Sequence, residues 1–463
     1  MRSWIRLTRG ISSPFVLAAG VWLLASCASS PPRTDPTPAS PGPATPESTE
    51  APAQAANLYH FTDSLKSFPP SQLAPSWYCR WIPPGASNVP ALKTALLQRA
   101  EQDSRWATRT RDLYAWNTFF AVNWPSSTVK PGGSSPSTYV PVWAAWARRD
   151  ELPRVYEPTP QRPWRCEGAC LETDLPGEGK QTDSTDAVTD QNGQNVYYEV
   201  RVNPATGQVM NAYWKQGFTT PTVVSFQNGQ CKSGGDQFDF APAIEMKLVW
   251  KVLDGKKDDA QRFFVQEKVL VPGSGPARRL NLGLVSMHIA AKVKTRDWIV
   301  MTFEHVDNVP LESSAEELQR TWSFYNPACK TAQGAPCPTN VPLPGSQPEQ
   351  VTRTLPIDAD TQALNQEVRQ WLQGQQGIWP GWRYYQLVGS QELNPTTRQP
   401  TPPILRNSLI ETYLPGTALG ETVAHRAGVR PQASSCLGCH LRSQAQDFSF
   451  LIGSVLGWPQ TRD

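Results

Sequence analysis

The chain has 463 residues, 18% of them charged, with 43 Lys and Arg against 40 Asp and Glu, and it contains 9 cysteines and 18 tryptophans. Once Arg2, Arg6 and Arg9 are set aside as part of an N-terminal signal, basic and acidic residues balance, which excludes the strongly basic surface that nucleic-acid binding requires. The tryptophans suit a core built on aromatic anchors.

Arg2, Arg6 and Arg9 precede an apolar run from Pro14 to Leu24 that is too short to span a bilayer comfortably, so the segment reads as an export signal rather than a membrane helix. The run ends in Leu24-Ala25-Ser26-Cys27, the pattern of a bacterial lipobox: small residues fit the signal peptidase, and the Cys27 thiol takes a diacylglycerol. Residues 1–26 are then the signal peptide and Cys27 the lipidated N-terminus. Ala28 stands where an Asp usually retains a lipoprotein at the inner membrane, so the expected location is the periplasmic side of the envelope, with the outer membrane favoured. Two or more acyl chains hold a protein on a membrane where one would not. Residues 27–56 are rich in Pro, Ser, Thr and Ala, cannot bury a core and read as a solvated tether.

Residues 57–403 form the expected globular body, of α+β class. Apolar residues at helical spacing between Val89 and Trp124 (Leu92, Leu96, Leu97, Ala100, then Leu113, Trp116, Phe119 and Phe120) predict one or two amphipathic helices at its start. Tyr197 to Val202 and Val209 to Trp214, flanking Asn203-Pro-Ala-Thr-Gly207, read as a hairpin. Ile244 to Val252 alternates, and Phe263 to Val271, Leu282 to Val293 and Trp298 to His305 predict further strands of an antiparallel body, with a sandwich as one arrangement of it. A short helix near Thr361 to Gln375 lies between Pro- and Gly-rich loops. Residues 404–463 then fold back and dock on the body.

In an oxidising compartment six cysteines are expected to form disulfides. Short separations favour Cys166 with Cys170 and Cys329 with Cys337, leaving Cys79 for Cys231, one pairing among several. Zinc is the rival, but Cys166-Glu-Gly-Ala-Cys170 lacks a nearby second pair.

The remaining two cysteines carry the strongest signal: Cys436-Leu437-Gly438-Cys439-His440. Two thiols three positions apart share one side of a helical turn and can each add to a porphyrin vinyl group, and the adjacent His440 is placed to ligate the iron. One covalent haem c is therefore the expected cofactor, bound through Cys436, Cys439 and His440. Residues 441–463 contain neither Met nor His, so a sixth ligand is sought upstream among Met210, Met246, Met287, Met301, His60, His288, His305 and His425. Strand alternation puts Met287 and His288 on opposite faces, so only one of them can point at a haem lying on the sheet. Glu304, His305, Asp307 and Asn308 form an unusually polar strand end, readable as an acid-base site, a propionate partner or a turn. A core histidine satisfied by a backbone carbonyl is the plain alternative for His288 and His305.

The run Gly283 to His288, Trp298-Ile-Val-Met-Thr-Phe-Glu-His-Val-Asp-Asn-Val-Pro310, Tyr384-Tyr-Gln-Leu-Val-Gly389, Asn407-Ser-Leu-Ile-Glu-Thr-Tyr413 and Ser435-Cys-Leu-Gly-Cys-His440 with Asp447-Phe-Ser-Phe450 together resemble a bacterial family of large exported single-haem cytochrome c proteins. The resemblance covers about 241–451. It implies haem binding through Cys436, Cys439 and His440, and a shared site that includes His288 and Glu304 to Asn308. The chain departs from the family pattern over 414–433, which is longer than usual and holds His425.

Phosphate loops, a dinucleotide glycine fingerprint, His-Glu-x-x-His and a nucleophile elbow do not occur, so the expected chemistry belongs to the haem. The leading expectation is electron transfer at the envelope with a redox partner protein. The alternative is a haem enzyme of peroxidase type, or a gas-binding protein, with an open iron beside the candidate catalytic residues His288, Glu304 and His305. A third reading makes the sheet a partner-binding module with a redox accessory.

Overall fold

The computed structural model describes residues 104–123, 139–149, 188–215, 230–231, 238–240, 243–270, 278–293, 297–343, 347–373, 379–394, 396–413, 435–441, 447–449 and 451. The signal peptide, Cys27, the tether, the predicted helix before Ser104, Cys79, Cys166, Cys170, His60 and the 414–433 stretch with His425 lie outside the described residues, as does the side chain of Cys231. Among the described residues, no helix is long and apolar enough to cross a membrane.

The fold is mixed α and β around one eight-stranded antiparallel sheet. Its strands are β1 (Ala147–Arg148), β2 (Tyr197–Val202), β5 (Ile244–Val252), β6 (Val265–Leu270), β7 (Arg278–Val293), β8 (Asp297–His305), β9 (Tyr385–Leu393) and β10 (Pro400–Thr401). The order is β1-β2-β5-β7-β8-β9-β10, with β6 pairing the first half of β7. A separate ribbon pairs β3 (Gln230–Cys231) with β4 (Phe238–Phe240). The helices are α1 (Ser104–Asn123), α2 (Pro204–Lys215), α3 (Ala359–Gln373) and the single short turn α4 (Cys436–His440).

Alternation along the strands makes two unlike faces. On one, Met246, Leu248, Trp250, Met287, Ile289, Met301, Phe303 and Leu387 join Trp116, Phe119 and Phe120 of α1 and Leu364 and Val368 of α3 in the main core. Most of the tryptophans that the structure describes are here, including Trp143, Trp379 and Trp382. Asn365 ties α3 to both neighbours: its Oδ1 accepts from Trp116 Nε1 at 3.1 Å and from Leu387 N at 3.0 Å, and its Nδ2 donates to Leu387 O at 2.9 Å. This replaces ladder bonds where β8 and β9 shift register between Thr302 and Phe303.

The other face carries two smaller apolar clusters. One contains Val300 and Trp298 with Leu405, Cys436 and Leu437, and the other Val249 and Val285 with Leu409 and Ile410. Between them runs a cross-strand row of Val200, Lys247, His288, Thr302 and Gly389. Loops, α2 and the short α4 cover this face, so among the described residues the body is one sheet with helices on both sides, not a sandwich.

The predicted hairpin is corrected. Tyr197 to Val202 is β2, but Val209 to Trp214 belongs to α2. Asn203 Oδ1 accepts from Thr206 N at 3.0 Å, which makes Asn203 an N-cap, and Pro204 takes the first helical position, where its missing N–H costs nothing. Cys329 and Cys337 form a disulfide. Gly334, at the tip of the loop they close, has φ +81°, a conformation that favours glycine.

Replacing Asn365 by Ala would leave three buried polar atoms unpaired at once. The expected loss is about 3 kcal/mol, measured as a lowered urea midpoint with unchanged slope.

Candidate functional site

Helix α4 is pinned to the sheet from its first residues. Ser435 Oγ accepts from Gln391 Nε2 at 2.7 Å and from Leu405 N at 2.9 Å, while Leu437 N donates to Gln391 Oε1 at 2.7 Å and Cys436 N to Leu405 O at 3.1 Å. Gly389 of β9 permits this approach: a Cβ there would lie 2.9 Å from Leu405 Cδ1. Cys436 is buried and in no disulfide. The side chain of Cys439 lies outside the described residues.

His440 is oriented by the turn that follows. Its Nδ1 bonds the carbonyl of Phe448. A carbonyl can only accept, so Nδ1 carries the proton and the ring's lone pair sits on Nε2. Burial lowers the His440 pKa and keeps the ring neutral. The turn is itself held by the sheet. Asp447 and Phe448 adopt φ of 52° and 64°, Lys292 of β7 pairs with the Asp447 carboxylate, and Trp298 Nε1 donates to the Asp447 carbonyl at 2.8 Å. A small pocket lies here, lined by Glu245, Trp298, Val300, Leu437, His440 and Phe448 among others. Burial pushes the Glu245 carboxyl up to about 7.

The middle of β7 brings His288 to the same place. Its Nε2 lies 4.0 Å from Cys436 Sγ and 3.6 Å from Glu411 Oε2, and its side chain is 12% exposed. No backbone carbonyl among the described residues accepts from it. Burial first, then the Lys247 and His440 charges, push its pKa well down. Burial also pushes the Glu411 carboxyl up to about 8, although Asn407 N donates to it at 2.6 Å. His288, Glu411 and Cys436 place donor atoms within 4.8 Å of one another. They could hold a divalent cation only while Cys436 keeps its thiol.

Glu304 serves as an anchor on this face. Arg353 binds its carboxylate through both terminal nitrogens at 2.7 and 3.3 Å, and Ser408 N donates to it at 2.7 Å. Asn407 Nδ2 donates to Ser286 Oγ at 2.5 Å and Thr302 Oγ1 at 2.8 Å. Residues 407–411 are thereby laid along β7 and β8. A second small pocket, bordered by Arg353, Arg406, Asn407 and Glu411, opens beside them.

His305 is not part of this arrangement. Strand alternation turns it away from Glu304, and it stacks on Phe263 at 4.2 Å between ring centres. Its Nε2 donates to Arg262 O at 3.0 Å, and its Nδ1 accepts from Asp307 N at 3.2 Å. Both nitrogens are thus occupied, as in a core histidine. Asp307 pairs with Arg262 at 2.6 Å, and Asn308 Nδ2 donates to Val285 O at 2.7 Å, closing the turn. Of the predicted site residues, the structure brings together Cys436, His440 and His288, with Glu304 one row away. Sequence reading missed Gln391, Lys292 and Glu411. Glu411 was within reach, since it follows Asn407 by one helical turn in a run already singled out.

Burial lowers the His305 pKa to about 4, with Asp307 opposing. The unfolded imidazole binds its proton near 6.5, so the contribution is intact above that value and is lost as pH falls toward 4. This group should cost about 2 kcal/mol of stability between pH 7 and pH 5. Urea unfolding at the two pH values should show a smaller pH difference in His305→Gln than in the wild type; an equal difference would contradict the assignment.

No family model, no curated protein and no solved structure matches this chain.

Proposed function

We propose that this chain is a c-type cytochrome that carries one haem on Cys436, Cys439 and His440 and exchanges electrons with a redox partner protein, anchored to the outer membrane's periplasmic face by lipid on Cys27. The observation that carries the reading is the state of His440: the bond to the Phe448 carbonyl holds the proton on Nδ1 and the lone pair on Nε2, the form in which imidazole ligates iron. The buried Cys436 thiol, outside any disulfide, stands one helical turn before it. This donor set fits a covalent haem.

Bound haem supplies one-electron exchange between ferric and ferrous iron. The chain's own part is to hold and shield it. Gln391 and Leu405 fix α4, Lys292 and Trp298 fix the turn that orients His440, and Val300, Trp298 and Leu437 exclude water. Immobilising the ligands in a packed, largely apolar shell limits reorganisation when the charge changes. The family resemblance over 241–451 supports the same conclusion.

The protein matured in a periplasm competent for cytochrome c assembly should gain the mass of one haem that acidified acetone does not extract. Cys436→Ser with Cys439→Ser should abolish essentially all of it, and a wild type without covalent haem would refute the reading. Separately, Cys27→Ser should move the protein from the membrane fraction to the soluble periplasm with its haem retained.

A further inference from the structure

We infer that His288, from the middle of β7, supplies the second axial ligand to the haem iron, so that the site is closed by two histidines. The inference rests on the haem proposed above and concerns what this chain offers it from the sheet side. Met246, Met287 and Met301 lie in the helix-covered core on the opposite face of the sheet, and Asn123 Nδ2 contacts the Met287 sulfur at 3.8 Å. Reaching the α4 side would require each to pass through the sheet. His305 has a partner on both ring nitrogens. His288 differs from it in each respect that matters. It faces the α4 side, its Nε2 is 4.0 Å from the sulfur through which the porphyrin would be anchored, and no carbonyl claims its ring. The groups near its Nε2 are the Cys436 sulfur and, at 3.6 Å, the Glu411 carboxylate, and once Cys436 is a thioether it has no S–H to give, which leaves the imidazole lone pair open to a metal. The iron of a haem anchored through Cys436 and ligated by His440 would use it.

Met210 of α2 is the described rival, since it belongs to the apolar cluster that contains Cys436 and Leu437. His60 and His425 complete the set to be tested.

The full-length haem-loaded protein is the material for the test, with covalent haem quantified first. Expected are a low-spin ferrous spectrum in the wild type that carbon monoxide leaves unchanged, and near-infrared magnetic circular dichroism of the ferric protein with the signature of two nitrogen ligands. His288→Ala should retain one covalent haem but become high-spin, bind carbon monoxide and regain the low-spin spectrum when imidazole is added. His288→Met should introduce the charge-transfer band of thioether ligation. Met210→Leu, His60→Ala and His425→Ala should leave the wild-type spectrum in place. A high-spin wild type overturns the inference while leaving haem attachment standing, and so does a thioether signature in the wild type or a low-spin His288→Ala protein. If His288→Ala fails to fold, the wild-type dichroism together with the His288→Met, His60→Ala and His425→Ala spectra decides. Absence of covalent haem from the wild type overturns both.

Discussion

The pleat of β7 and β8 governs this molecule. Because successive side chains point to opposite faces, Met287, Ile289, Met301 and Phe303 are committed to the core under α1 and α3, while Ser286, His288, Thr302 and Glu304 are committed to the other side. A slip of one residue in the pairing of these strands would exchange the two sets, placing ionisable groups under the helices and sulfur and aromatic rings against the C-terminal segment. The apolar face is what makes that slip expensive. The polar row is therefore held in place by packing it does not itself take part in.

That polar row has to be satisfied, and satisfying it organises the chain's C-terminal part. A buried carboxylate such as Glu304 costs several kcal/mol of lost hydration unless it is paired and fully bonded, and its partners Arg353 and Ser408 N come from segments far away in sequence. Asn407 meets Ser286 and Thr302 in the same way, and Gln391 meets Ser435 and Leu437. Each bond is directional, so the segments that cover this face are set in register rather than merely adsorbed. The same logic explains another buried ionic group, Lys251 with Asp190 and Asp258, which joins the end of β5 to the turn before β2. It is a structural tie, well away from α4 in the chain.

Much of the body was legible in advance because its strands are long and rich in apolar residues, with alternation visible at the start of β5. Ile244 to Val252 reads as a strand with the observed bounds, and β7 and β8 differ from expectation by a few residues at their ends. Helix α3 was legible as the stretch between Pro- and Gly-rich loops, and the Cys329–Cys337 disulfide from its short separation. The error over Val209 to Trp214 came from weighing apolar content above capping chemistry: Asn203-Pro204 is a helix start, and the apolar residues after it fit a helical stripe as well as a strand. The tryptophans serve as the core anchors expected of them, and most of those the structure describes pack on the face opposite α4.

What the sequence determined by itself was local: the two thiols and the imidazole that share one turn at Cys436, Cys439 and His440, the alternation of the strands, and the fact that Met287 and His288 must point apart. These follow from the spacing of residues along one element. Only the tertiary structure decided which of the two faces α4, that His440 is oriented by a turn tied to Lys292 and Trp298, and that Glu304 and His305, neighbours in sequence, are an ion-pair anchor and a core ring on opposite sides of a sheet. Those facts depend on contacts between residues more than forty positions apart, some of them about a hundred and fifty, for which a linear pattern carries no signal, because the free energy that selects them comes from burying and pairing groups the chain brings together only when folded.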